Sequence, residues 1–455
     1  MRHPGRPHYT SPMARVSDPV RALAGATWVV KTLRGAGHVA YFAGGCVRDA
    51  LLGLRPTDYD VATDATPDRV RQMFPRSDHV GASFGVVIVH VPRDVGMGGA
   101  AGADAARVDV EAATFRSDGP YSDARRPDSV RFAGPVEDAQ RRDFTINALF
   151  VDPLVPGRAG GLDGVLIDHV GGAADLQRRV IRAVGDADQR LSEDHLRALR
   201  AVRFAARLGF TIDAATADAI RRHASQLRGV SRERIGEELR RMLAHPARRH
   251  GVGLLQELAL DAPVLDDAPS RSTLRLLAAL PSEADATTAV AAWLLDRSWP
   301  EAADQPVWID TTRKRGGPQG QVSRVRAALC LSNDESETLD QTLRLVRHLA
   351  TGWNAAGVAR RKRWATSGTF GQALSIVRGW SPAARESIAQ AVDELAKDGI
   401  GLGPPPFVTG DDLVRAGITP GPAFKAALDA AYDAQLEGVV ASKAAALELA
   451  RAKCV

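Results

Sequence analysis

Cysteine is nearly absent from this 455-residue sequence. Cys46, Cys330 and Cys454 stand alone, without the spacing of a disulfide framework, a zinc site or a redox pair, which fits a chain kept in the reducing cytoplasm. Long apolar runs are also missing. With no stretch of about 18 apolar residues, no membrane span is expected. The opening segment MRHPGRPHYTSPMAR is basic and carries proline but has no apolar core, so residues 1–22 read as a disordered basic start rather than a secretory signal. Lysine is the third scarcity. Only seven of the 59 basic residues are lysine, so arginine fills nearly every basic role.

What remains is a soluble, globular composition, 45% apolar and 25% charged, on a chain long enough for two to four domains. The net charge of +5 is modest, but it is unevenly placed. Between Arg178 and Arg249 there are 17 arginines against 9 aspartates and glutamates. Arginine grips phosphate bidentately and stacks on bases, so this segment favours a nucleotide or nucleic-acid partner. A genome that spells every basic residue as arginine would explain the missing lysine. The local excess of positive charge is the stronger argument.

Strand and helix signals alternate from about Tyr41 to Asp152. FGVVIVHV (84–91) is a β-branched run, and RVDVEAATF (107–115) alternates like a strand. Between them a Gly/Ala-rich insertion (92–106) reads as a mobile link. From Asp163 the pattern is helical: GGAADLQRRVIRAVGDADQRL, then SEDHLRALRAVRFAARLGF, ATADAIRRHASQLRGV and SRERIGEELRRMLAH. Residues 251–400 read as a helical body in which Arg313-Lys314-Arg315 and Arg360-Arg361-Lys362-Arg363 are solvated faces. Pro404-Pro405-Pro406 marks a hinge before a last helical segment, 401–455. The expected fold is α+β: a mixed-sheet head at 23–155, a helical neck at 156–250, then body and tail.

The informative stretch is YFAGGCVRDALLGLRPTDYDVAT (41–63): a strand, a glycine turn at Gly44-Gly45, a helix with Arg48 in its first turn, and a second strand. Positions i and i+2 of a strand share a face, so Asp58 and Asp60 form a carboxylate pair beside the turn. Paired carboxylates hold the magnesium that clamps phosphates, and a helix start takes up phosphate charge. Singly, a Gly-Gly is a turn and an Asp-x-Asp a solvated edge. Together they point to phosphoryl or nucleotidyl transfer.

GGCVRDALLG followed by DYD resembles the head of the nucleotidyltransferase superfamily, in the branch of tRNA nucleotidyltransferases (CCA-adding enzymes) and bacterial poly(A) polymerases. The resemblance implies a Mg²⁺-dependent enzyme with a third carboxylate on a neighbouring strand. Glu111 takes that place before Ala-Thr-Phe-Arg, with Asp109 on the same face as the alternative. RRDFTINAL (141–149) matches a further motif of the family. By resemblance Arg142 meets the triphosphate while Asp143 and Asn147 shape the sugar pocket.

SEDHLRALRAVRFAARLGF adds a reading of the base. Ser192 is a plausible N-cap, with Glu193 and Asp194 favouring the positive helix end. That capping role is the plainer interpretation. On a helix, however, Asp194 and Arg197 are neighbours at i and i+3, and Arg200 and Arg203 continue the stripe. Cytosine and adenine each present an amino donor beside a ring-nitrogen acceptor. Asp194 can accept from the first while Arg197 donates to the second. Uracil and guanine mismatch both contacts. This is similar to the amino-acid template of class II tRNA nucleotidyltransferases, and implies CTP and ATP as substrates and the tRNA 3′ acceptor end as partner. The resemblance runs from about Tyr41 to Leu243, with a weaker one near the C-terminus, where a tail would contact tRNA. No His-Asp dipeptide occurs, so the phosphohydrolase domain of some relatives is not expected. Poly(A) addition, CC-only or A-only addition, and a non-catalytic RNA-binding protein on a degenerate transferase fold are the competing readings.

Overall fold

The computed structural model describes residues 18–79, 85–95, 107–121, 127–299 and 321–454. Residues 1–17, Phe84, most of the 92–106 insertion and the Arg313-Lys314-Arg315 cluster lie outside the described residues. The chain divides into two compact units, Met1–Val230 and Ser231–Val455.

In the first unit, Asp18 caps α1 (Pro19–Gly35) through the Val20 N–H. The helix buries Ala22, Ala26, Val29, Val30 and Leu33, and it lies so close to the sheet that a Cβ at Gly25 would sit 2.9 Å from Val91. The chain continues through β1 (Ala40–Ala43), α2 (Gly45–Leu51), β2 (Asp60–Thr63), α3 (Pro67–Met73), β3 (Ser77–His79), β4 (Val86–His90) and β5 (Asp109–Thr114). A small ladder of β6 (Arg116–Asp118) and β7 (Val130–Phe132) precedes α4 (Pro135–Gln140) and β8 (Leu149–Asp152). The short pair β9 (Arg158–Ala159) and β10 (Leu162–Asp163) leads to β11 (Val165–Asp168).

The main sheet has the order β11-β8-β1-β2-β5-β4-β3. Only the β2–β5 pairing is parallel, so the sheet is mixed, as expected. Its last strand, β11, falls beyond residue 155, in the segment expected to be helical neck. The long helix expected over 171–191 is also interrupted. α5 (Gly172–Arg178) stops at Arg179, which is left-handed (φ 59°), and the β-branched pair Val180-Ile181 forms β12. α6 (Ala187–Glu193), α7 (Arg197–Leu208), β13 (Thr211–Ile212) and α8 (Ala214–His223) follow, with β13 parallel to β12.

Among the described residues of the second unit, every regular element is a helix, from α9 (Arg232–Leu243) to a C-terminal helix at Lys443–Cys454. One expectation fails here. Apart from the exposed Arg360, the run Arg360–Arg363 is not a solvated face. Lys362 is fully buried, donating to the Leu436 carbonyl at 3.1 Å and pairing with Asp398 at 2.6 Å. Arg361 binds the Trp353 and Asn354 carbonyls, and Arg363 pairs with Asp429 and Asp433. The triple proline is held as well. Buried Gln435 donates to Pro405 and accepts from Phe407, both at 2.8 Å, while Tyr432 donates to Pro404 at 3.0 Å. Side chains of the following helical segment thus hold three backbone groups of this stretch. No described helix of either unit is long and apolar enough to cross a membrane.

Candidate active site

The chain leaves β1 through Gly44, whose φ of 72° suits glycine, and enters α2 with no side-chain cap. A Cβ on Gly44 would approach Arg142 Nη1 to 3.0 Å, so the turn and that arginine share one space. Asp58 lies in the lead-in to β2, outside the regular strand, yet the alternation holds: Tyr59 is buried and packs on Phe42 while Asp58 and Asp60 face outward. The parallel register Val61↔Ala112 sets Asp60 and Glu111 at equivalent positions on adjacent strands.

Their electrostatics follow. Asp60 has an accessible carboxylate at the surface but is closely walled by protein. That crowding first, and then the charges of Glu111 and Asp58, raise it to about 7, against the pull of Arg142. Glu111 is raised by desolvation and by Asp58. Asp109 shares the Glu111 face but sits at the strand's start, where His90 (2.8 Å) and Arg107 (2.8 Å) hold it. Between the two candidates, then, Glu111 faces the aspartates and Asp109 faces His90 and Arg107. The Cys46 thiol behind β2 is pushed up to about 12 by burial and by Asp60, so it is inert.

Among the described residues, no three ligating side chains close into a ready-made metal cage. The donor set is nonetheless that of a hard divalent cation: oxygen ligands whose mutual repulsion a cation would relieve. Magnesium characteristically takes one or two protein carboxylates and completes its shell from water and phosphate.

Opposite stands an arginine network. Arg142 donates through Nε and Nη2 to Asp138 (3.1 and 2.9 Å) and through Nη1 to the Asn147 carbonyl (3.0 Å), over the ring of Phe150. Burial opposes the charge on Asp138, but Arg142 and Arg141 outweigh it and hold the carboxyl below its ordinary range. Asp138 was missed from sequence, although its position four residues before Arg142 on a helix was a usable signal. Asp143 accepts from Phe144 N–H (2.8 Å) and Asn147 Nδ2 (3.1 Å), and pairs with Arg200 (2.6 Å). Burial again works against the charge. Arg200 foremost, then the hydrogen bonds, bring Asp143 down to about 2. Asn147 in turn accepts from Arg48 Nη1 (2.6 Å). Arg48, expected near phosphate, is buried and also pinned to Asp49 (2.6 Å). Arg48, Arg200 and Arg203 gather on the ring of Phe204, at 5.0, 5.4 and 4.3 Å. One network thus joins α2, the 142–147 segment and α7.

The expected start of the base-reading helix is corrected. α6, capped by Asp186, runs through Ser192 and Glu193, and the Ser192 hydroxyl donates backwards to Gln189. Ser192 is therefore no N-cap. Asp194 is the extended residue between α6 and α7, its carboxylate accepting from Leu196 N–H (3.1 Å) and its carbonyl from Arg197 N–H (3.0 Å). Arg197 is buried and pairs with Glu193 (2.5 Å), with a second bond from the same Nη1 to the Arg190 carbonyl (2.7 Å). The stripe expected along one helix is thus divided: Arg200 serves Asp143 and Arg203 lies on Phe204. Arg190, also missed, donates to the Gln140 and Arg141 carbonyls and ties α6 to the Arg142 segment.

A sequence profile described as the poly A polymerase head domain matches residues 40–182, and one described as "Probable RNA and SrmB- binding site of polymerase A" matches 209–269. The CCA-adding enzyme of Levilactobacillus brevis is 33% identical over 405 residues, covering 88% of this chain and 90% of its own. The chain belongs to the CCA-adding enzyme family. The Geobacillus stearothermophilus CCA-adding enzyme is 40% identical, but over only 253 residues, 55% of this chain and 57% of its own. A solved Bacillus stearothermophilus CCA-adding enzyme in complex with CTP superposes with a TM-score of 0.71 at 28% identity, covering 96% of this chain and 98% of that one. The head profile spans the Gly44 turn, the three carboxylates and the Arg142–Asn147 network, the parts of a CCA-adding enzyme that sequence made legible.

Proposed function

We propose that this enzyme transfers CMP and AMP from CTP and ATP to the tRNA 3′ end, adding C, C and A without an RNA template and releasing pyrophosphate. The observation that carries this reading is the cluster of Asp58, Asp60 and Glu111, like charges left unneutralised beside the Gly44 turn and Arg142. Asp58, Asp60 and Glu111 would hold Mg²⁺, which supplies charge neutralisation at the triphosphate and acidifies the attacking 3′-hydroxyl. Arg142, oriented by Asp138, offers positive charge where phosphate enters. Asp143 and Asn147, fixed by Arg200 and Arg48, shape the wall beside the sugar.

Base choice rests on Asp194 and Arg197. Among the described residues only Nη1 of Arg197 is engaged, which leaves its remaining donors for a ring nitrogen. Asp194 offers an acceptor on the adjoining turn. Cytosine and adenine satisfy both, whereas uracil and guanine set carbonyl against carboxylate and N–H against guanidinium. Glu193, rather than Asp194, holds Arg197 in place, so the reading needs no direct Asp194–Arg197 pair.

The test is to incubate tRNA lacking its terminus with each labelled nucleoside triphosphate and sequence the 3′ ends. Addition of C, C and A, in that order and then stopping, is the expected result. A long adenylate tail would favour the poly(A) polymerase reading, to which the head profile also belongs. Arrest after CC, or addition of A alone, would assign a partial activity. No incorporation by the folded protein would favour a binding protein.

A further inference from the structure

The base-selecting turn is backed by a pair of histidines that the proposed chemistry does not use. His195 follows Asp194 directly, and its ring stacks on that of His223, at the end of α8, with centroids 5.7 Å apart and planes 29° from parallel. Nδ1 of each ring is sealed from solvent without a hydrogen-bond partner. The other nitrogens are committed. His195 bonds the Leu191 carbonyl, and His223 Nε2 meets Asp188 at 3.2 Å, a carboxylate also held by Arg222. The His195 ring is therefore suited to the neutral state, with hydrogen on Nε2 and a bare Nδ1. A proton added at Nδ1 of His195 would be a buried donor without an acceptor, against the face of a second imidazole.

We propose that His195, braced by the His223 ring, is a positioning residue for Asp194, and that its protonation loosens the turn and relaxes base discrimination. This rests on the base-selection reading of Asp194. The charged groups facing the pair are Asp188 on α6, Arg222 on α8 and Asp194 on the turn itself. Asp188 is engaged by Arg222 and His223, and Asp194 is the carboxylate whose charge acts on His195. Attraction between them would draw Asp194 away from the Leu196 N–H that fixes its direction. Burial first, and then the neighbouring His223, hold His195 below the ordinary imidazole range, so His195 stays neutral near physiological pH and charges only on acidification.

The experiment measures the ratio of kcat/KM for CTP over UTP, with tRNA as acceptor, between about pH 7.5 and about pH 5.5. In the wild-type enzyme the ratio is expected to fall roughly tenfold on acidification. His195→Ala, which removes the stack, should show the relaxed ratio across the whole range. His195→Phe keeps a ring against His223 but cannot titrate, so its ratio should stay near the neutral wild-type value and be flat with pH. A merely structural role predicts uniform loss with both nucleotides and an unchanged ratio. A wild-type ratio that holds down to the lowest pH, or His195→Phe following the wild-type curve, overturns the proposal. Asp194→Ala separates the two levels. If it retains wild-type discrimination, base selection by Asp194 fails and takes this proposal with it. If it relaxes discrimination, the His195 variants decide alone.

Discussion

Asp60 and Asp143 are aspartates of the same unit, both closely walled by protein, and their surroundings push them in opposite directions. Asp60 faces Glu111 and Asp58 and rises to about 7, whereas Asp143 faces Arg200 and two further hydrogen-bond donors and falls to about 2. Burial penalises the charge in both, so the partner decides the sign. A paired carboxylate is part of the frame. A carboxylate held among like charges stores unfavourable energy that a cation can relieve, which is what a metal site needs before metal arrives.

The largest effect that would break this comparison is at Asp60. Asp60→Ala is expected to lower nucleotide addition by about 10²–10³-fold or more, since it removes stabilisation of transition-state charge. Its melting temperature should be unchanged or higher, because a repelling charge has gone. Glu111→Ala should behave alike. Single-turnover assays and thermal melts check both. A folded Asp60→Ala enzyme with near-wild-type turnover would remove the metal assignment.

Asp143 should show the reverse signature, with stability moving first. Asp143→Ala leaves Arg200 without its main partner in a half-buried setting, at a cost of about 2–3 kcal/mol. The pH dependence has a definite sign. Because the folded carboxyl is held below its unfolded value, its stabilisation is complete above about pH 4 and is lost as pH falls toward 2. The stability gap between wild type and Asp143→Asn, followed by chemical denaturation, should therefore be constant near neutrality and shrink in acid. A gap that widens in acid would mean that Asp143 is not the paired group described.

The same contrast explains what could be read from sequence. Asp58, Asp60 and Glu111 are placed by strand alternation and one parallel pairing, so local periodicity exposed them. The break at Asp194 was hidden, because no glycine or proline occurs between Asp186 and Leu208 to announce it. The chain turns there because the Asp194 carboxylate takes the Leu196 N–H, a choice of partner that residue spacing does not reveal. Arg197 consequently pairs one position further back, with Glu193. In the second unit the basic run at Arg360 looked solvated because its partners lie far downstream, Asp433 and Leu436 being 70 and 74 residues from Arg363 and Lys362.

A middle-sized effect is expected at the turn. Arg197→Ala should lower the kcat/KM ratio of CTP over UTP by roughly 1–3 kcal/mol equivalent, because the guanidinium that repels the uracil N–H is gone. Some stability loss will accompany it, since Glu193 then keeps Arg190 alone among the described basic residues. The ratio separates the two effects: equal slowing with all four nucleotides would make Arg197 a structural residue alone.

The smallest effect is expected at Asp109, and it is the sharpest test of pairing as a guide to role. Asp109 lies on the Glu111 face of β5, two residues away, so spacing alone could not choose between them and only the family resemblance favoured Glu111. Its partners can. Arg107 pairs with it and His90 bonds it at an exposed position, and exposed ion pairs contribute about 0–1 kcal/mol. Asp109→Ala should therefore leave nucleotide addition within roughly threefold of wild type and stability within about 1 kcal/mol. Glu111→Ala, assayed alongside at several Mg²⁺ concentrations, should lose activity that added Mg²⁺ restores only in part. If Asp109→Ala instead loses as much as Glu111→Ala, the third ligand is Asp109. His90 and Arg107 would then have to release it when metal binds, and a carboxylate's partners in the metal-free protein would no longer identify its role.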